Sequence, residues 1–297
     1  MKIPPFLGAV ALASVLTLTA QTSHAALLVY EGFNYAPVSG IATGTYNGGL
    51  GFFGAWNSAG NALTASAKFV SGSLTPAAPA TLVTTGNSFL NNNGGDNGGG
   101  TSFMERNFTT AVSGVANTTI WHSFVVSPTN NVNTNKNMFV LRSGGTNILV
   151  MGDVGDNVPG NPANLGFNWN AGLFQDTGIT MPTSPTLILA KISQGATTFS
   201  TNISMWVNPS NVSSEAALLT PNASLLGQAN FSLTNVQLTS RNGGLDEFRI
   251  GDTLADVTPV PEPTTVISGM AIALVGLATM FRRRSLNSKK HLLVRGG

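Results

Sequence analysis

The clearest pattern in the chain is an alternation of apolar and polar residues along short stretches. In residues 199–207, one face takes the odd positions Phe199, Thr201, Ile203, Met205 and Val207, and the other takes Ser200, Asn202, Ser204 and Trp206. A period of two is typical of a strand with one buried face. The stretch therefore predicts a half-buried β-strand with Trp206 on its polar face.

Similar short stretches recur along the middle of the chain. They are rich in β-branched and aromatic residues and are bounded by Gly, Pro or Asn. The stretches are 27–33, 68–70, 101–109, 120–126, 138–142, 148–151, 165–169, 186–192, 231–238 and 245–250. Only residues 213–219 predict a short helix. About a dozen strands at near-regular spacing predict an all-β fold, a two-sheet antiparallel jelly-roll sandwich over residues 26–258.

Residues 1–25 have a different pattern, in which a short positive start precedes an apolar stretch. Lys2 is followed by a mostly apolar run from Phe6 to Ala20, and Ser23-His24-Ala25 then places small residues at positions −3 and −1 of a cleavage site. This order is that of a secretory signal peptide. We predict cleavage between Ala25 and Ala26 and export of the chain.

The other end of the chain carries three elements in succession. Pro261-Glu262-Pro263 forms a stiff polar joint, residues 264–281 are 18 residues without a charge, and Arg282-Arg283-Arg284 follow. An apolar run of this length just spans the hydrocarbon core of a bilayer as a helix. Arginines beside such a helix stay on the cytoplasmic side. The sandwich is therefore predicted to lie outside the cytoplasm, and the basic tail 285–297 inside it.

The charge of the chain is unevenly distributed. The net charge is +2, but six of the 14 Lys and Arg residues lie after Phe281. Residues 26–258 contain seven basic and 11 acidic residues, which gives this part a net charge of −4. A domain with this balance has no basic surface for nucleic acid, so that class of partner is excluded.

The Cys and His contents exclude several kinds of chemistry. Cysteine is absent, so disulfides, thiol catalysis and Cys-ligated metals are ruled out. His122 is the one histidine in residues 26–258, and it alternates with Ile120 and Phe124, which predicts a hydrogen-bonded core residue. With neither a second His nor a Gly-x-Ser-x-Gly turn, we expect no zinc site, no serine hydrolase and no cofactor.

The carboxylates do not form the pairs that glycoside hydrolysis requires. Two of them must face one sugar, but Asp246 and Glu247 are adjacent and are expected on opposite faces of a strand, with Asp246 beside Phe248. Asp153 and Asp156 lie in a Gly-rich turn, where they are either solvated turn residues or a weak Ca²⁺ site. We therefore predict no catalytic residues.

Sugar binding without hydrolysis requires less, because an aromatic ring stacks on a sugar ring and amides orient its hydroxyls. Trp206, which shares the polar face of its strand with Asn202, is the first candidate. Trp169, between two asparagines, is the second. The alternative is that both tryptophans are packed in the interior, as large apolar residues usually are.

The C-terminal residues resemble a known sorting signal. Val260-Pro261-Glu262-Pro263, an apolar helix and Arg282-Arg283-Arg284 are similar to the PEP-CTERM signal of Gram-negative bacteria, over residues 259–284. The resemblance implies a protein held transiently in the inner membrane by this helix and cut near Pro-Glu-Pro by a membrane peptidase, an exosortase. It also implies an association with extracellular polysaccharide and biofilm, in the cell envelope or the matrix.

Residues 26–258 resemble the concanavalin A-like, or LamG-like, jelly rolls. The residues that carry the resemblance are 30–35, 121–124, 206–209 and 246–251. They imply a fold and not a catalytic signature. We therefore expect an exported, non-enzymatic surface or matrix protein. A carbohydrate-binding module and a jelly-roll glycoside hydrolase are the alternatives.

Overall fold

The computed structural model describes residues 26–58, 67–79, 82, 84–91, 102–114, 116–128, 136–153, 164–170, 172–241 and 243–258. The predicted signal peptide, the predicted sorting signal with its helix 264–281, and the basic tail lie outside these residues. None of the helices in the described ranges has the length and apolarity needed to cross a membrane.

The described residues form two antiparallel sheets. Sheet 1 has the order β13-β12-β11-β6-β15-β4-β3, with β1 also paired to β15, and sheet 2 has the order β10-β9-β8-β7-β14-β5-β2. The strands are β1 (Leu27–Glu31), β2 (Phe52–Ser58), β3 (Ala67–Ser71), β4 (Asn87–Asn91), β5 (Ser102–Ser113), β6 (Thr119–Pro128), β7 (Lys136–Ser143), β8 (Thr146–Asp153), β9 (Asn164–Trp169), β10 (Leu173–Thr180), β11 (Thr186–Gln194), β12 (Thr201–Val207), β13 (Ala223–Gln228), β14 (Ser232–Arg241) and β15 (Gly243–Gly251). The prediction of an all-β, two-sheet jelly-roll sandwich is confirmed for this domain.

Four strands lie where the sequence pattern did not predict any. They are β2, β4, β10 and β13, and all but β4 are at the edge of a sheet. Edge strands have less to bury on either face, so a strict alternation of apolar and polar residues is not required of them. The predicted helix at 213–219 is in fact a single 3₁₀ turn, Glu215–Ala217. The one α-helix of the described residues is α1 (Leu254–Val257).

The core lies between the sheets and is rich in aromatic residues. On β12, Ile203 and Met205 point into it, as the alternation predicts, but Phe199 lies in the preceding turn and is exposed. The largest fully buried apolar side chains are Trp56, Phe33, Phe69, Phe89, Phe124, Phe139, Phe167, Phe248, Met104, Leu141, Leu149 and Met151.

A buried ion pair crosses this core from one sheet to the other. Glu31, at the end of β1, accepts a hydrogen bond from Nη1 of Arg106, on β5, at 3.0 Å, and both side chains are almost fully buried. Glu31 also accepts hydrogen bonds from the Tyr35 hydroxyl at 2.7 Å, Trp56 Nε1 at 3.0 Å and the Phe33 amide at 2.9 Å. Burial raises the pKa of Glu31, while these donors and Arg106 oppose that effect by favouring the carboxylate. The pair is thus held by a complete set of partners.

Arg106 also anchors the chain that leads into β2. Its Nη1 donates to the Gly48 carbonyl at 2.6 Å and its Nε to the Gly54 carbonyl at 2.8 Å. Its guanidinium lies 4.4 Å from the centre of the Phe52 ring. Residues 48–54 are therefore positioned by the same charge that neutralises Glu31.

A β-bulge in β15 corrects the expected orientation of its carboxylates. Glu247 has φ +52°, and the register with β6 shifts between Asp246 and Arg249. The bulge places Leu245, Phe248 and Ile250 in the core, so Asp246 does not share a face with Phe248 as predicted.

Asp246 and Glu247 instead bind the same segment, of which residues 73–79, 82, 84 and 85 are described, and its Leu74 and Leu82 pack on the outer face of sheet 1. Oδ2 of Asp246 accepts hydrogen bonds from Ser73 Oγ at 2.5 Å and the Leu74 amide at 2.8 Å. Oε1 of Glu247 accepts one from the Thr85 amide at 2.7 Å. The prediction that the two carboxylates point to opposite faces is therefore wrong.

The ion pair leads to a first prediction, on stability. Glu31→Gln leaves the Arg106 charge buried and unpaired, and we expect it to lower the free energy of unfolding by about 3–5 kcal/mol. The matched control is Glu105→Gln, because Glu105 pairs with Arg142 at 2.8 Å at a partly exposed site. That control should cost about 1 kcal/mol or less. Urea unfolding of both variants measures the difference, and equal costs would contradict the prediction.

A second prediction concerns Asp246. Burial raises its pKa from 3.8 to about 8, so between these pH values the folded state binds a proton that the unfolded state has released. The free energy of unfolding, relative to an Asp246→Asn variant, should therefore fall as the pH rises from 4 to 8, by at most about 1.4 kcal/mol per pH unit. Urea unfolding of both proteins across this range tests it. A difference that does not change with pH would refute it.

Candidate functional site

Trp206 faces away from the core, as predicted, but it is not exposed. Only 7% of its surface is accessible, because Trp121 stacks on it at a ring distance of 5.9 Å. Its Nε1 donates to the Leu219 carbonyl at 2.7 Å. A small apolar cluster on the outer face of sheet 1 consists of Trp121, Leu189 and Trp206 with Leu254 and Val257 of α1. The prediction of an exposed Trp206 ring is thus wrong, because residues 213–220 and α1 cover this face.

Trp169 and Asn202, the other two predicted binding residues, do not form a common binding site with Trp206. Trp169 has 3% of its surface accessible and packs edge-on against Phe231 in the core between the sheets. Asn202 is exposed on β12, where its Oδ1 accepts a hydrogen bond from the Gly227 amide of β13 at 3.1 Å. Both tryptophans are therefore buried by packing, Trp169 between the sheets and Trp206 on the outer face of sheet 1.

His122 is a core residue, as predicted. It is fully buried, and its Nδ1 lies 2.8 Å from the Arg249 carbonyl oxygen. Phe124, Phe139 and Phe248 surround its ring. Burial lowers its pKa to about 4, so the imidazole is neutral at pH 7. A neutral ring enclosed by phenylalanines has no access to a substrate.

The weak Ca²⁺ candidate is only half described. Asp153 ends β8 and is buried, and Asp156 lies outside the described residues. Within the described ranges, no group of three or more His, Cys, Asp or Glu side chains is close enough together to hold a metal ion.

The outer face of sheet 2 brings together amide side chains that are far apart in the sequence. Asn57, Glu105, Gln237, Val140, Val150, Asn168 and Phe174 are successive register partners across all seven strands. Asn107 and Asn235 are partners in an adjacent row, which ends at Phe53. We call the five amides Asn57, Asn107, Asn168, Asn235 and Gln237, with Phe53 and Phe174, the amide face.

Several groups of the amide face are available to a ligand. Asn57 and Asn107 are exposed and Gln237 is half-buried. Among the described residues, the side-chain amides of Asn107 and Gln237 have no hydrogen-bond partner. Phe53 is 70% exposed at the β2 edge, and Phe174 is half-buried on β10, at the opposite edge. The face thus combines accessible amides on β2, β5 and β14 with an aromatic ring at each side, while Asn235 and the neighbouring Val140 are buried.

The charges on this face neutralise each other or lie far apart. Glu105 is paired with Arg142 at 2.8 Å. Asp176, on β10, accepts hydrogen bonds from Asn164 Nδ2 at 2.9 Å and the Gly178 amide at 2.7 Å. β5 and β10 are five strand positions apart, which corresponds to about 24 Å between Glu105 and Asp176. Retaining and inverting glycosidases need their two carboxylates about 5–10 Å apart.

The sequence contains only a weak signal for the amide face. Its amides come from β2, β5, β9 and β14, one or two per strand, and β2 was not predicted. The usable signal is that Asn107 and Gln237 alternate with inward-facing residues, but the pairing of their strands spans more than a hundred residues.

Comparison with known proteins gives a similarity of architecture. No protein-family model matches the chain, and no curated protein matches it in sequence. Domain 4 of AbnA, a GH43 extracellular arabinanase from Geobacillus stearothermophilus, in complex with arabinotriose, is 14% identical over 79% of this chain and 99% of that one, with a TM-score of 0.45. The Lotus tetragonolobus seed lectin is 13% identical over 50% and 81% of the two chains, with a TM-score of 0.33. A β-1,3-glucanase from Mycobacterium marinum is 9% identical over 77% and 100%, with a TM-score of 0.34. These values concern the arrangement of the strands and not the function.

Proposed function

We propose that this chain is an exported, non-enzymatic protein of the cell surface or extracellular matrix that binds polysaccharide on its amide face. The observation that carries the proposal is the outer face of sheet 2, where the strand register brings together the accessible amides of Asn57, Asn107 and Gln237, with Phe53 at one edge and Phe174 at the other. Amides donate and accept hydrogen bonds and so suit the hydroxyls of sugars, and exposed rings suit the apolar faces of sugar rings.

The dimensions of the face favour a polymer over a single sugar. Seven strands with six spacings give a row about 29 Å long between β2 and β10. Val140, in the middle of this row, is buried, so the contacts that the row offers to successive sugar units lie on either side of β7. Since its Arg142 is neutralised by Glu105, and residues 26–258 carry a net charge of −4, the face suits a neutral polysaccharide better than an acidic one.

The absence of hydrolysis is part of the proposal. Glu31, Asp246 and Glu247 are buried and bound to structural partners, and the accessible Glu105 and Asp176 lie too far apart to act on one bond. The placement of these five carboxylates favours binding over acid–base catalysis.

The route of the protein to its place of action rests on its two ends. The signal peptide pattern of residues 1–25 and the similarity of residues 259–284 to PEP-CTERM signals support export, transient anchoring in the inner membrane and cleavage by an exosortase. We infer that the sandwich is afterwards released or attached to the cell envelope.

Mass spectrometry of the mature protein from its host tests this route. We expect an N-terminus at Ala26 and a C-terminus near Pro261-Glu262-Pro263, before the apolar run, because both cleavage patterns flank the sandwich closely. A mature C-terminus beyond Phe281 would rule out the proposed processing.

Binding is tested with residues 26–258 and polysaccharide extracted from the producing cells. Phe53→Ala should weaken binding about three- to tenfold, because an aromatic contact contributes about 0.5–1.5 kcal/mol. Phe199→Ala is the matched control, since Phe199 is 72% exposed and lies in the turn between β11 and β12, away from the amide face. Equal affinities of the two variants, or no binding by the parent protein, would overturn the proposal.

A further inference from the structure

A small pocket lies beside β1, where Tyr30 also pairs with Leu50, and none of the residues that line it belongs to the amide face. Its volume is about 270 Å³. Rings, glycines and an exposed amide form its walls: Tyr30, Gly32, Asn34, Tyr35, Gly48 and Gly49. The buried Glu31 also contacts it, and Thr85 completes the rim. At about 30 Å³ per water, the space equals roughly nine water molecules, which suits a single sugar ring.

Glycines keep this space open. A side chain at Gly48 would place its Cβ 3.1 Å from the Tyr35 ring, and one at Gly32 would place its Cβ 2.3 Å from the Tyr30 hydroxyl. Gly49 has φ +82°, and a Cβ there would lie 2.5 Å from the Tyr30 carbonyl oxygen. Three glycines thus occupy positions where a larger residue would fill the pocket or clash with its walls.

The polar groups of the pocket suit hydroxyl groups. The Tyr35 hydroxyl donates to Glu31 at 2.7 Å and accepts a hydrogen bond from Arg106 Nη1 at 3.5 Å, so its position is fixed. The Tyr30 hydroxyl lies 3.5 Å from Thr85 Oγ1. Asn34 is exposed, and its side-chain amide has no partner among the described residues. Tyr30 and Asn34 together offer a ligand one adaptable hydroxyl and one free amide.

The electrostatics of the pocket favour a neutral ligand. Its single lining carboxylate, Glu31, is neutralised by Arg106. Arg249, whose guanidinium lies 4.3 Å from the centre of the Tyr30 ring, is itself paired with Glu247. No unpaired cation among the described residues lines the pocket, so an acidic sugar would lose its hydration without gaining a counter-charge.

We propose that this tyrosine–glycine pocket binds one neutral hexose unit. The inference rests on the proposed function in one respect, that carbohydrate is the ligand of this chain. It adds a second, separate site on β1, which takes one sugar unit where the amide face takes a length of polymer.

The test is an NMR titration of ¹⁵N-labelled residues 26–258, the part that contains both sheets and the whole described core. The probes are methyl glycosides of glucose, galactose and mannose, with methyl glucuronoside as the acidic comparison. We expect saturable shifts of the Gly32, Asn34, Gly48 and Gly49 amides with at least one neutral probe, and at least tenfold weaker binding of the acidic one.

Asn34→Ala should weaken binding about tenfold and Gly48→Ala should abolish it. Asn47→Ala is the control, because Asn47 is exposed in the same loop but does not line the pocket.

Each outcome separates this inference from the proposed function. No saturable shift with any neutral probe, tighter binding of the glucuronoside, or unchanged affinity of both Asn34→Ala and Gly48→Ala would overturn the pocket, whatever the amide face binds. Polymer binding that depends on Phe53 without pocket shifts would leave the proposed function standing. Pocket shifts without polymer binding would support the pocket and overturn the amide face. Proton spectra of the variants establish that they are folded.

Discussion

The buried pair of Glu31 and Arg106 is the interaction on which the rest of the structure depends. It joins β1 of sheet 1 to β5 of sheet 2 through the core, where a lone charge of either sign would be strongly unfavourable. The partners that complete it are Tyr35, Trp56 and the carbonyls of Gly48 and Gly54. The same bonds therefore fix the relation of the two sheets and the course of residues 48–54, of which Gly48 and Gly49 line the proposed hexose pocket.

The two outer faces of the sandwich have different surroundings, and this difference assigns them different roles. On sheet 1, Leu74 and Leu82 cover Val125 and Leu187, and residues 213–220 with α1 cover Trp206. Its tryptophans are consequently part of the packing. Sheet 2 instead has amides across its strands, and one ion pair whose charges cancel. A neutral, hydroxyl-rich polymer is the ligand that we propose for such a face.

Buried ionisable groups in this domain serve the fold. Asp246 and Glu247 hold the covering segment through the amides of Leu74 and Thr85, and the bulge at Glu247 is what turns both carboxylates towards it. His122 is neutral among phenylalanines. Each of these groups resembles a catalytic residue by its burial or its pKa, yet each is bound to partners that a substrate would have to displace. The perturbed pKa values of Asp246 and His122 follow from their burial in the fold.

The sequence by itself determined the fold class, the position of most central strands and the buried state of His122, because alternation and β-branched residues are local signals of a strand with one buried face. It also carries the export and sorting patterns, which stay predictions.

Only the tertiary structure decided which outward-facing residues are accessible. Trp206 points outward as its strand requires, but residues distant in the chain cover it. The bulge at Glu247 reversed the expected position of Asp246, since one extra residue shifts the alternation. The amide face and the hexose pocket depend on strand register and on loop closure around Arg106, and neither leaves a contiguous pattern in the chain.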